Sequence, residues 1–306
     1  MRLLVVGAGA TGGYFGARLA AAGRDVTFLV RPARASHLKS HGLQVVSPHG
    51  DLTVQPRLVT ADTLPGPYDA VLLTVKAFTL AAAMEDMAKA VGPQTMVLPV
   101  LNGMKHIDIL SDRFGKSAIL GGVCKVAATV DAQGRIVQLA KFHELAYGEL
   151  DGSGSGRIAQ LDNFMQGAGF DAHMSEAILR EMWEKWLVLA GLGGITCLMR
   201  GTVGEIEAAP GGSDFVHQFL GEIAAIIKAN GGEISAKAEA DAIAMLTAKG
   251  SPQTSSMYRD LQKGGTIEAD QIIGDLLARG RSKGVATPLL AALYTNLCVY
   301  QDRLAK

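Results

Sequence analysis

The sequence predicts an α/β fold: an N-terminal Rossmann-type doubly wound parallel sheet, followed by an all-helical C-terminal domain. Three observations predict it. Short, near-continuous apolar runs alternate with helix-period segments through the first half, as parallel strands covered on both faces require. A glycine-rich turn joins the first apolar run to the first helical segment. From about Ser175 the pattern is helical nearly to the end.

Taken in order, Leu3–Val6 reads as a strand and Thr11–Ala22 as a helix stopped by Gly23. Asp25–Val30 is a second strand, and a helix follows from Pro32, a residue suited to a first helical position. Val45–Gln55, with Pro48 to Asp51 at its centre, reads as a hairpin. Asp69–Val75 and Met96–Leu101 are further strands, separated by a helical Phe78–Ala90. Ile119–Gly148 is mostly strand, with a turn at Asp131–Gly134. A glycine-serine run from Asp151 to Gly156 precedes one more helix, Ile158–Gln166. The domain boundary is expected near Ala172, giving a dinucleotide-binding domain over 1–172 and a helical substrate domain over 173–306.

Composition narrows the functional classes. The 29 basic and 29 acidic residues cancel, a balance that argues against nucleic acid, where a basic face would be needed to replace counterions. Thirty-seven glycines in 306 residues exceed the ~7% of average usage and suit tight backbone approaches. The longest strongly apolar stretches, Leu3–Ala17 and Trp186–Met199, fall short of the ~18 residues needed to span a bilayer. Arg2, an apolar run and Ala20 to Ala22 mimic a secretory leader, but five glycines (7, 9, 12, 13 and 16) break that run. Three cysteines, Cys124, Cys197 and Cys298, form neither a paired framework nor a CxxC motif. A reducing, cytoplasmic compartment is expected.

The turn Gly7, Ala8, Gly9, Ala10, Thr11, Gly12 follows a strand and opens a helix, the context in which GxGxxG binds a dinucleotide. Gly7 permits the turn, Gly9 admits a pyrophosphate, and Gly12 lets helix and strand close together. The helix N-terminus offers free N–H groups and a partial positive charge. At the end of the second strand an NAD enzyme would place a carboxylate on the ribose. Here Arg31 stands there with Arg34 close behind, and a guanidinium suits a 2′-phosphate, so NADP(H) is favoured.

Ile178, Met182, Lys185, Leu189 and Leu192 fall within a sector of ~80°, one buried stripe at helical spacing. Lys185 thus stands where a core leucine belongs. Burial favours a neutral amine and a neighbouring carboxylate favours the ammonium; a lysine balanced between them can donate a proton to a developing alkoxide. Snorkelling beside Glu181 accounts for the spacing equally well. Asn102 and Lys76 each follow a strand, at the edge where open α/β sheets bind ligands, and a turn-forming role explains Asn102-Gly103 as well.

Together these residues resemble the ketopantoate reductase (2-dehydropantoate 2-reductase) family along the whole chain. The resemblance rests on the N-terminal glycine motif, Leu73 to Ala77, Leu101 to Met104, Glu181 to Lys185, Ser255 to Asp260 and Thr266 to Glu268. Gly121, Gly134 and Gly148 also fit, and Ala127 matches a cofactor-contacting position. The resemblance implies catalysis in a cleft between a Rossmann and a helical domain, with NADPH delivering hydride to the 2-keto carbon of ketopantoate in pantothenate and coenzyme A biosynthesis. It implies that Lys185 is the catalytic lysine. Asn102, Ser256 and Glu268 would contact substrate; Asn102, Glu268, Arg31, Lys76 and Ala127 would contact the cofactor. On local sequence alone, Ser256 reads as a helix start and Glu268 as a first-turn carboxylate. The family's well-characterised members carry asparagines four and eight residues after the lysine, and here those positions are Leu189 and Gly193. Two lost amides remove hydrogen bonds worth roughly 1 kcal/mol each, so a paralogue acting on a different, less polar 2-keto acid is an alternative.

Two further readings remain. A 3-hydroxyacid-type dehydrogenase also carries a helix lysine, but would be expected to hold an asparagine at position 189. A non-catalytic NADP(H) sensor would have no use for Lys185 and Glu268. Among the histidines, His143 reads as a strand residue and His106, His173 and His217 as surface positions; His37 and His41 have ligand spacing without a third ligand, so no metal is expected. Cys197 and Cys298 are expected to pack as small hydrophobes. The partner is a small 2-keto acid, with no nucleic acid and no membrane. The helical domain carries enough apolar surface for a homodimer, and its own core accounts for that surface equally well.

Overall fold

In a computed structural model, which describes residues 1–304, the chain forms two compact units. One comprises Met1–Leu101 and His106–Ile178; the other comprises Asn102–Lys105 and the chain from Leu179 onward. The expected boundary at Ala172 lies on a strand of the first unit, and the units part after Ile178.

The first unit opens with β1 (Arg2–Val6), α1 (Ala10–Ala21), β2 (Asp25–Leu29), α2 (Pro32–His41), β3 (Leu43–Val46), β4 (Leu52–Val54) and β5 (Arg57–Val59). It continues through β6 (Ala70–Leu73), α3 (Leu80–Met87), β7 (Met96–Pro99) and α4 (Lys105–Phe114), then β8 (Leu120–Val130), β9 (Ile136–Glu149), α5 (Gly156–Met165) and β10 (Asp171–Met174). Five strands form a parallel sheet in the order β5-β2-β1-β6-β7. Val5 of β1 lies opposite Phe28 on one side and Leu72 on the other. Leu3 to Val6 and Ala70 to Leu73 are all buried, which is why these strands read as unbroken apolar runs. From β1 the chain builds outward to β2 and β5, then returns to build β6 and β7 on the other side. Their shared boundary is the switch point at which open α/β sheets bind ligands.

The hairpin β3–β4 leaves this sheet for a second one, ordered β10-β9-β3-β4 with β8 paired antiparallel to β9. The sequence shows the hairpin and the long β8–β9 ribbon but not that they share a sheet, because their contacts are non-local. Helix α1 lies against both sheets. Beneath it, Tyr14 Oη donates to Gln138 Oε1 at 2.9 Å, and Ser47 Oγ donates to the same oxygen at 2.6 Å.

The second unit is helical among the described residues: α6 (Ile178–Met199), α7 (Val203–Ala208), α8 (Gly212–Ala229), α9 (Ala236–Leu246), α10 (Ser256–Gln262), a π-helical turn at Asp270–Gly274, α11 (Asp275–Ser282) and α12 (Pro288–Leu304). Helix α6 is apolar almost all round and is buried accordingly. Trp186 is fully buried and donates Nε1–H to Ile272 O at 2.9 Å, fixing α6 to the π turn. Glu222 of α8 accepts from the backbone N–H of Leu289 and Leu290 at 3.0 and 2.9 Å, capping α12. No helix among the described residues is long and apolar enough to cross a membrane.

Candidate active site

The glycine turn lies at the C-terminal end of β1, between β2 and β6. Gly7 has φ of +97°, a conformation that disfavours any side chain, and its N–H donates to Leu29 O at 3.1 Å. A Cβ on Gly12 would fall 2.1 Å from Thr74 Oγ1 and 2.2 Å from Gly7 O. Thr74 holds the turn from β6's end, donating to Val6 O and Gly7 O at 2.9 and 3.1 Å. Gly9 is the N-cap of α1, and a Cβ there would meet nothing within 4 Å. Gly12 is thus needed by the protein's own packing, whereas the space over Gly9 is open. The first turn of α1 carries no acidic residue, so its N–H groups and dipole remain available to phosphate. The residues present fit a dinucleotide.

Arg31 is exposed and occupies the N-cap position of α2, where its side chain makes no capping bond. Arg34, one turn on, is the arginine drawn to the glycine turn. Its Nε donates to Ala8 O at 3.3 Å and its Nη1 to Gly134 O at 3.1 Å. Its Nη2 is buried and finds no hydrogen-bond partner, and burial holds the guanidinium below its ordinary pKa. Lys76 is exposed and precedes a 3-10 turn over Ala77–Thr79. Ala127 falls at the register shift between Val126 and Ala128 of β8, a bulge the sequence does not announce.

In the second unit, Asn102 Nδ2 donates to Glu268 Oε2 at 3.3 Å, joining two of the residues singled out from sequence. Gln271 Nε2 donates to Asn102 O at 2.9 Å. Gly103, at φ +72°, lies so close to the π turn that a Cβ would be 2.4 Å from Gln271 O. Glu268 is 9% exposed and stands just before the π turn, its carbonyl accepting from Ile272 N at 3.0 Å. Sequence reasoning missed Gln271 and Thr74; the available signals were a polar residue three after Glu268 and a hydroxyl two before Lys76.

Lys185 is half-buried, as is Leu189, whereas Ile178, Met182 and Leu192 of the same stripe are buried. The stripe is therefore open at its centre instead of being closed throughout. Ser256 is exposed at the first position of α10; the cap itself is Ser255, whose Oγ accepts from Tyr258 N at 2.9 Å and bonds Thr196 Oγ1 at 3.0 Å. His106, expected at the surface, is completely buried on α4, because it lies on that helix's inward face beside Ile107 and Leu110. Cys197 is buried and its thiol is pushed up to about 12 by that burial, which suits a packing role.

A Rossmann-type sheet with its glycine turn, joined in sequence to a helical unit that holds an amine and a carboxylate–amide pair, defines a nicotinamide-dinucleotide oxidoreductase. The comparisons narrow the class. The family described as ketopantoate reductase PanE/ApbA matches residues 3–152, and its C-terminal counterpart matches residues 177–301. The chain is 34% identical over 301 residues to an uncharacterised oxidoreductase, YkpB, of Bacillus subtilis, covering 98% of this chain and 99% of that protein. It is 26% identical to the 2-dehydropantoate 2-reductase of Halobacterium salinarum, covering 96% of each. The crystal structure of a 2-dehydropantoate 2-reductase from Geobacter metallireducens superposes with a TM-score of 0.86 at 29% identity, over 97% of this chain and 99% of that one. The chain belongs to the ketopantoate reductase family.

Proposed function

We propose that the chain reduces a short 2-keto acid to the 2-hydroxy acid at the expense of NADPH, with Lys185 as the proton donor. The family's named substrate, 2-dehydropantoate, is the reference compound. The observation that carries this reading is the bond from Asn102 to Glu268 in the unit that also bears Lys185. It assembles, from residues 166 apart in sequence, an amide and a carboxylate of the kind that orient a polar substrate.

NADPH, when bound, supplies the hydride that adds to C2 of the keto acid. Reduction at C2 would place negative charge on the carbonyl oxygen. The Lys185 ammonium hydrogen-bonds this oxygen and transfers a proton to it, leaving a neutral amine and a 2-hydroxy acid. Asn102, with its NH₂ turned to Glu268, presents its Oδ1 as an acceptor, and Ser256 offers a hydroxyl to the substrate. Gly7 to Gly12 would hold the pyrophosphate, and Arg31 with Arg34 would favour a 2′-phosphate over a bare ribose.

The test is NADPH oxidation, followed by loss of nicotinamide absorbance, across a panel of 2-keto acids that includes 2-dehydropantoate. Turnover of one or more supports the reading, and turnover of 2-dehydropantoate itself would place the chain in pantothenate synthesis. Cofactor binding with no turnover of any 2-keto acid would contradict it and favour a sensor.

A further inference from the structure

The face of α6 that carries Lys185 also bears on what the substrate looks like. Between Met182 and Cys197 the helix is buried except at Glu184, Lys185, Val188 and Leu189. Glu184 is already engaged, its Oε1 accepting from Ser235 N at 2.9 Å. The other two half-buried side chains on this stretch of α6, Val188 and Leu189, are aliphatic. One turn beyond Lys185, ~5 Å along the axis, lies Leu189, followed on the same stripe by Leu192.

Next along the helix is Gly193, where a Cβ would stand 3.0 Å from the methyl of Met257, so a thioether covers that spot. The stripe regains polar groups only at Thr196. That hydroxyl donates to Leu192 O at 2.6 Å and bonds Ser255 Oγ at 3.0 Å, while Ser255 Oγ also accepts from Tyr258 N at 2.9 Å. These hydroxyls are occupied with one another and with the backbone. In the opposite direction from Lys185, beside the stripe, stands Glu181, whose charge is a poor neighbour for either a carbon chain or a substrate carboxylate.

We propose that the substrate is a 2-keto acid whose side chain is apolar, an alkyl or aryl group laid on the half-buried Val188 and Leu189. This rests on the 2-keto acid reductase reading above. A hydroxyl on that side chain would leave water for the aliphatic side chains of Val188 and Leu189, which can offer it no hydrogen bond, and an apolar pocket discriminates against an added hydroxyl by up to ~100-fold.

The experiment uses two acids that differ by that one group, 2-dehydropantoate and 3,3-dimethyl-2-oxobutanoate, with the full-length protein and saturating NADPH. The expected result is a kcat/KM at least fivefold higher for 3,3-dimethyl-2-oxobutanoate, and a Leu189→Asn variant in which that ratio falls at least fivefold. A ratio below fivefold in the unaltered protein, or a preference for 2-dehydropantoate, overturns the proposal while leaving the reductase reading intact. A ratio that Leu189→Asn leaves unchanged, in a variant that melts cooperatively, also overturns it. Should that variant not fold, the two-acid comparison decides alone. If neither these two acids nor any other 2-keto acid oxidises NADPH, the underlying reading fails instead.

Discussion

Asn102 and Glu268 are joined directly, Nδ2 to Oε2 at 3.3 Å, and the segment bearing Asn102 clusters with the helical unit although it follows a strand of the other. Gln271 holds that segment by its backbone, donating to Asn102 O at 2.9 Å. The π turn sets the position of Gln271, an example of the irregular helix geometry that concentrates at functional sites.

Replacing Gln271 with leucine keeps the volume and removes the donor. The expected outcome is a fall in kcat/KM of about tenfold, the scale of one buried hydrogen bond, with the NADPH dissociation constant unchanged. Steady-state kinetics beside a cofactor titration check this. Equal activity in Gln271→Leu would mean that the contact does not position Asn102.

Gly12→Val tests the cofactor turn from within. Its Cβ would sit 2.1 Å from Thr74 Oγ1, so the turn must open and its N–H groups lose their aim. NADPH affinity should fall at least tenfold by fluorescence titration. A Gly9→Ala change adds a methyl where the protein offers open space, so it should weaken cofactor binding with little loss of thermal stability.

The arginines make separate predictions. Arg34 reaches Ala8 O and buries an unsatisfied Nη2, whereas Arg31 is exposed. Arg34→Ala should raise the NADPH dissociation constant by about 10- to 100-fold, the worth of a charged hydrogen bond, and Arg31→Ala by less. NADH binding should change less than threefold in both. Equal losses for the two cofactors would show that neither arginine reads the 2′-phosphate.

His143 gives a pH dependence. With the Tyr14 proton committed to Gln138, the His143 Nδ1–H donates to Tyr14 Oη at 2.7 Å, so a further proton must enter at Nε2. The His49 ring stacks on His143 at 3.8 Å. Burial first, then His49 and Arg18, hold this imidazole below its ordinary value, against an opposing pull from Asp171. A lowered folded-state value means that the unfolded chain binds more protons near neutrality. This contribution to stability is complete above an unfolded pKa of ~6.5 and is lost as pH falls through the folded one. Melting temperatures between pH 8 and 5 should drop more steeply in the native protein than in His143→Gln. Parallel curves would remove His143 from the acid response.

How much of this was legible in the sequence follows the range of the forces involved. The glycine turn, β1 and α1 are local: strand burial and turn sterics act over a dozen residues, and both read directly. The stripe on α6 was visible as periodicity, but its opening at Lys185 and Leu189 depends on what packs against the helix. Arg34 reaches from α2 back to Ala8 and across to Gly134, and the bulge at Ala127 arises where β8 pairs with β9, so no local pattern encodes either. His106 failed for the same reason, since a polar residue on a short amphipathic helix gives no sign of which face it takes. The Asn102–Glu268 contact could be reached only through the family resemblance, because 166 residues separate the pair.

The central claim concerns the amine of Lys185, and Lys185→Ala addresses it most directly. General acid catalysis contributes ~10²- to 10⁴-fold, so kcat should fall by at least a hundredfold on the best 2-keto acid while the NADPH dissociation constant stays within threefold. A variant that keeps more than a tenth of its kcat, or that loses cofactor binding and cooperative melting together, would contradict the assignment of Lys185 as the proton donor.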